Sequence, residues 1–220
     1  MFILTTWALR CFGISGIVGA LFFICGDLLY NHVPGSSASP AAKMGHLPPS
    51  RLLNAGLVGL LGCWLYALAA MHLYLAFRPA GDVFAFILFL VFGAVMIGYG
   101  IAHTAYFSIA AGAQAAAANG SDPEEAGKLG NVFFQRLVYI TYIPVAILSL
   151  MMLYGIITAR SLYPRWMVVF LPIVIYLLKA PVVRMLKGHL RELVNDAYDN
   201  IILFVFFCVS TIVLWNSTVV

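Results

Sequence analysis

Two residues sit where an apolar sequence rarely places a charge. Asp27 lies within Gly26-Asp27-Leu28-Leu29-Tyr30, inside a hydrophobic run rather than beyond it. A carboxylate there must be paired, protonated or put to use. His103 is the second, with Tyr99 and Tyr106 at i−4 and i+3, so that all three share one stripe of a helix. An imidazole transfers protons near neutrality, and Asp27 and His103 are therefore the candidate acid and base. The competing readings are plain ones: Asp27 paired with Arg51 or Arg136 to fix helix register, and His103 bonded to a neighbouring Tyr or Asp. Tyr30, Arg51, Asn54, Tyr99, Tyr106, Gln135, Arg136, Tyr139, Asp199 and Asn200 form the candidate ligand-binding set. Within it Arg51 and Arg136 would anchor an anionic head group, while Tyr106 and Asn200 would donate hydrogen bonds.

Other chemistries are not encoded. There is no phosphate-binding G-x-x-x-x-G-K-[ST] loop, no H-E-x-x-H and no His-rich cluster. His72 belongs near the opposite end of its segment and cannot share a metal with His103. Neither a metal nor a cofactor is expected. Cys11, Cys25, Cys63 and Cys208 lie in apolar runs without a C-x-x-C pair and read as packing residues. The net charge of +4 is too small and scattered for nucleic-acid binding.

The elements that must position these groups are set by lipid. Of 220 residues 63% are hydrophobic and 9% charged, against roughly 25% charged in soluble domains. In a bilayer each segment must satisfy its own backbone, as helices do, and the apolar runs are continuous rather than alternating, which argues against a β-barrel. The expected fold is an all-α transmembrane bundle in one domain with six spans, at about 9–30, 52–77, 83–108, 132–158, 163–180 and 199–216. Loops after spans two and four are tight; those after one, three and five are long. Following each helix's direction, all six spans bring polar groups to the end that carries the long loops. Trp7, Trp166 and Trp215 mark the other end as an aromatic belt.

The long loops carry structure of their own. Span three should continue as an Ala-rich helix to Ala118, stopped by Asn119-Gly120, with a new helix starting at Ser121-Asp122-Pro123. Val182, Val183, Leu186, Leu190 and Leu193 recur at helical spacing among Arg184, Lys187 and Arg191, predicting a basic amphipathic interfacial helix at about 182–195. Asp196 would cap the last span, leaving Asp199 and Asn200 to line a pocket. Pro144 and Pro172 should kink spans four and five. Eight of the twelve Lys and Arg residues fall on the long-loop side, which the positive-inside rule assigns to the cytoplasm.

Gly26-Asp27-Leu28-Leu29-Tyr30, Leu47-Pro48-Pro49-Ser50-Arg51 and Asp199-Asn200 before an aromatic-rich last span resemble a group of uncharacterised bacterial multi-spanning proteins. The resemblance implies a bacterial cytoplasmic-membrane location and carries no activity. Three function classes fit the residues. One is an intramembrane enzyme using acid/base chemistry on an amphiphilic or hydrophobic substrate. The others are a small-molecule transporter or binding protein, and a non-catalytic subunit docking a partner. Membrane lipid is the expected partner, with an amphiphilic small molecule as ligand; the oligomeric state is left open.

Overall fold

The computed structural model describes residues 2–36 and 38–217. Its helices are α1 Phe2–Asn31, α2 Pro40–Gly45, α3 Pro49–Phe77, α4 Asp82–Ala118, α5 Pro123–Ile157, α6 Pro172–Leu177, α7 Lys179–Met185 and α8 Gly188–Val213, with 3₁₀ turns at Arg78–Ala80 and Arg165–Phe170. There is no strand among the described residues. Five helices, α1, α3, α4, α5 and α8, are long and apolar enough to cross a membrane. The chain is a multi-pass helical membrane protein.

The fifth predicted segment, 163–180, is not one of those five. Pro172 disfavours the helical conformation at the residue before it, and Leu171 is extended at φ −61°, ψ 140°. The result is the 3₁₀ turn, α6 and α7 in series. This broken segment lies along the second half of α8: Tyr163 meets Ser210 at one end, while Tyr198 donates to the Ile175 carbonyl and Lys179 reaches Asp199 at the other.

A second expectation fails for a related reason. The helix predicted at about 182–195 is divided, because Leu186 and Lys187 are extended and Gly188 takes φ 53°. Its first part closes α7. Its second part is the opening of α8, which continues unbroken into the last span. By contrast, α4 extends to Ala118 with Asn119-Gly120 beyond it. The Asp122 side chain accepts from Glu124 N to start the next helix, which continues past Pro144 into span four.

Around the bundle α8 packs on α1, α1 on α3, α3 on α4, and α4 on α5; the broken segment closes the ring between α5 and α8. Glycines let the helices approach closely. A Cβ on Gly62 would press on Phe23, and one on Gly155 on Phe77. The main core gathers Phe23, Tyr66, Phe77, Phe92, Phe206 and Phe207 among smaller residues. A smaller core at the long-loop end packs α2 against α1, α3 and the Ala-rich end of α4 through Tyr30, Met44, Leu52 and Ile109.

The termini end is held by two devices. Arg10 donates to the Trp215 carbonyl at 2.7 Å and lies over the Trp7 and Trp215 rings, joining the first helix to the last. Deeper in, His72 Nδ1 is 2.9 Å from the Leu9 carbonyl and Nε2 is 2.6 Å from Ser210 Oγ, which is 2.6 Å from Tyr163 OH. A carbonyl only accepts, so Nδ1 carries the hydrogen, Ser210 donates to Nε2 and Tyr163 donates to Ser210. All four groups are satisfied and buried, which makes this a structural brace among α1, α3, α8 and the broken segment. His72→Ala should lower stability by about 2 kcal/mol, from the lost interhelical bonds and the void together. Denaturation in mixed micelles would measure it, and an unchanged midpoint would deny the brace its role.

Candidate functional site

At the long-loop end one face of each of four helices converges on a cavity of about 140 Å³. Helix α1 presents Phe23, Asp27 and Asn31, successive fourth residues on one stripe. Helix α4 presents Tyr99, Ala102, His103 and Tyr106; α5 presents Phe134, Val138 and Tyr142; α8 presents Asp196, Asp199 and Asn200. The broken segment adds Tyr176.

Asp27 and His103 face each other, as their types suggested. Asp27 Oδ2 accepts from Asn200 Nδ2 at 2.7 Å, and Oδ1 stands 3.6 Å from His103 Nδ1. That separation suits an ion pair and exceeds a hydrogen bond. His103 Nε2 lies 3.0 Å from the Ala55 carbonyl oxygen. Because that oxygen can only accept, Nε2 carries a hydrogen, and Nδ1 has either a lone pair or a second proton. Nδ1 is thus the nitrogen left to face the carboxylate across the gap, and the α3 backbone sets the orientation of the ring.

The imidazole is fixed on every side. It packs edge-on against Phe23 and Tyr30, with centroids at 5.3 and 5.2 Å. Gly26 and Gly59 form the slot it enters. A Cβ on Gly26 would approach His103 Cε1 to 2.8 Å, and one on Gly59 would overlap the ring. Gly26 therefore does two things for the site: it admits the ring of His103 and precedes the carboxylate that faces it.

The candidate binding residues divide. Tyr99, Tyr106, Asp199 and Asn200 line the cavity with Asp27 and His103. Tyr30 lies behind the wall, 1% exposed, with its ring edge-on to His103 and tilted against Tyr106. Arg51 is not a cavity residue. Its guanidinium donates to the carbonyls of Leu29 at 2.8 Å, Leu28 at 3.0 Å and His32 at 2.5 Å, closing the C-terminus of α1, where free carbonyls attract a cation. Asn54, Gln135, Arg136 and Tyr139 are exposed on the outer faces of α3 and α5. Neither arginine is the partner of Asp27; His103 and Asn200 are.

Several cavity residues were not in the candidate set: Phe23, Asn31, Phe134, Val138, Tyr142, Tyr176 and Asp196. Most were accessible to a periodicity argument, since 23, 27 and 31 share a face, as do 134, 138 and 142. Tyr176 was not, because it belongs to the segment that is no continuous helix. Asp196 is not the expected cap, because α8 begins at Gly188 and encloses it; it faces His32 Nδ1 at 3.2 Å and lines the cavity.

The polar cavity adjoins an apolar one of about 220 Å³ between α5, α6 and α8. The two share Tyr99, Tyr142, Tyr176 and Asp199 as walls. Beyond these, the apolar chamber is lined by Val145, Ala146, Pro172, Ile173, Ile202 and Leu203. No group of three or more metal-ligating side chains occurs among the described residues.

No curated protein and no solved structure matches the chain. A family described only as of unknown function, DUF6796, matches residues 4–217, nearly the whole sequence. The chain belongs to that family.

Proposed function

We propose that this is a six-crossing protein of the cell membrane that binds an amphiphile at its long-loop end. Proton transfer through the Asp27–His103 pair then acts on the head of that ligand. The broken segment supplies the sixth crossing, since it passes from the Tyr163 end of α8 to the Lys179 end. The observation that carries the reading is that the two chambers adjoin, with four residues lining both. A polar chamber with an acid/base pair beside an apolar one suits a molecule with a head and a tail. A substrate that arrives through lipid needs no second aqueous opening, which favours chemistry at the site over transport across the bundle.

The test uses the full chain purified in a neutral maltoside detergent. Native mass spectrometry of the wild type is expected to retain an amphiphile that Ala146→Phe, which fills the apolar chamber, no longer holds. Incubation with a membrane lipid extract should yield a product absent with Asp27→Asn. Retention equal in wild type and Ala146→Phe would remove the amphiphile site. Binding without any product would leave a binding protein in place of an enzyme.

A further inference from the structure

We propose that the head group of this amphiphile is a cation, an ammonium carried on an apolar tail. The inference rests on the amphiphile reading and adds the chemical class of the ligand.

Sign is the first argument. The polar cavity is lined by three carboxylates, Asp27, Asp196 and Asp199, and by no lysine or arginine. The basic side chain in the lining is His103, and two others lie against the carboxylates. Lys179 Nζ is 3.4 Å from Asp199, and His32 is 3.2 Å from Asp196. Arg51, which an anionic head would require, is turned onto the end of α1. An anion placed here would meet carboxylates in a low-dielectric surrounding with no guanidinium to receive it.

The second argument is the remaining wall. Tyr99, Tyr106, Tyr142 and Tyr176, with Phe23 and Phe134, supply rings around the same space. The Tyr106 and Phe134 rings meet edge-to-face at 4.3 Å, and those of Tyr142 and Tyr176 at 6.0 Å. Aromatic faces around a small cavity attract ammonium groups and give nothing comparable to anions. Size agrees: about 140 Å³ is the liquid share of roughly five waters, room for a head of a few heavy atoms.

A third observation comes from polar atoms that await a partner. Asn31 lines the cavity, and its Oδ1, an acceptor, is buried with no hydrogen bond among the described residues. An N–H of a primary ammonium is the donor it lacks. The larger cavity at the long-loop surface, about 510 Å³, shares Asp196 with the polar chamber and balances Lys43 and Arg191 with Glu192 and Asp196, so it sets no net charge against an ammonium.

The test compares three probes of matched chain length in maltoside micelles: hexadecylamine, hexadecanol and hexadecyl phosphate. Hexadecylamine is expected to raise the unfolding midpoint of the full chain in a saturable way, with the other two giving no such shift. Asp199→Asn and Tyr142→Leu should each weaken its apparent affinity about tenfold, while Tyr142→Phe, which keeps the ring, should retain it. Hexadecyltrimethylammonium separates the two ammonium types: equal binding assigns the aromatic rings the main part, and weaker binding assigns it to the Asn31 acceptor. The proposal is overturned if the phosphate or the alcohol binds as well as the amine, or if Asp199→Asn leaves amine affinity unchanged. If none of the probes shifts the midpoint and Ala146→Phe behaves like wild type, the amphiphile site itself fails.

Discussion

Replacement of Asp27 by Asn is expected to leave the fold intact and to abolish turnover by a hundredfold or more, the scale of a lost general acid or base. Asparagine has the shape of the aspartate it replaces. Its oxygen can still accept from Asn200 Nδ2, and its amide still faces His103 Nδ1, but it has no carboxylate with which to give or take a proton. Asp27→Ala is the contrasting variant. It strands Asn200 Nδ2 and His103 Nδ1 among apolar neighbours, and the cost of stranded polar groups falls on the fold. Measuring unfolding and product formation side by side separates the two effects. Full activity in a well-folded Asp27→Asn would reduce the pair to a device for helix register.

The other large effect is expected at a residue with no side chain. Gly59→Val places atoms where the His103 ring lies, and the ring cannot retreat because Phe23 and Tyr30 flank it. Overpacking of this kind costs about 1–3 kcal/mol, and here it also removes the imidazole from the Ala55 carbonyl. Stability and site should fall together. Because the strain arises from one contact, His103→Ala in the same chain should restore much of the lost stability, a coupling that a double-mutant cycle measures directly. Gly93 is the control: a Cβ there meets nothing within 4 Å, so Gly93→Ala should be neutral or slightly stabilising in its helix. Equal losses at Gly59 and Gly93 would mean that the slot is unimportant.

How far the sequence reveals the site depends on what kind of signal carries each part. Asp27 and His103 stand out because charge within an apolar run is costly; helix direction brings Asn200 to the same end, and only the fold reveals it as the partner of Asp27. Helix α5 shows the limit. Choosing its polar residues selected Gln135, Arg136 and Tyr139, which face outward, whereas Phe134, Val138 and Tyr142 face the cavity. Polarity was the wrong criterion there; the register of the helix was the right one. Hydropathy alone could not foresee the broken segment either, since 163–180 reads as apolar enough to span, yet the backbone is extended at Leu171 before Pro172. The same holds for 182–195, whose amphipathic spacing is real but is cut at Leu186 and Lys187. Arg51 illustrates a third limit: only the fold reveals that the end of α1 lies within its reach.

The dependence of α1 on α8 has a consequence for biosynthesis. During synthesis Asp27 is delivered to the bilayer when only the first helices exist. Asn200, Ser210 and Trp215, which complete its site, the His72 brace and the Arg10 clasp, emerge last. Until then α1 carries an unsatisfied carboxylate and a loose outer end, a costly state in lipid. The nascent chain must therefore keep its first helix sheltered, or its carboxylate protonated, until the final one arrives. Quality-control proteases that sample exposed intramembrane charge would have that interval in which to act. A chain stalled before residue 200 is the species they should remove first.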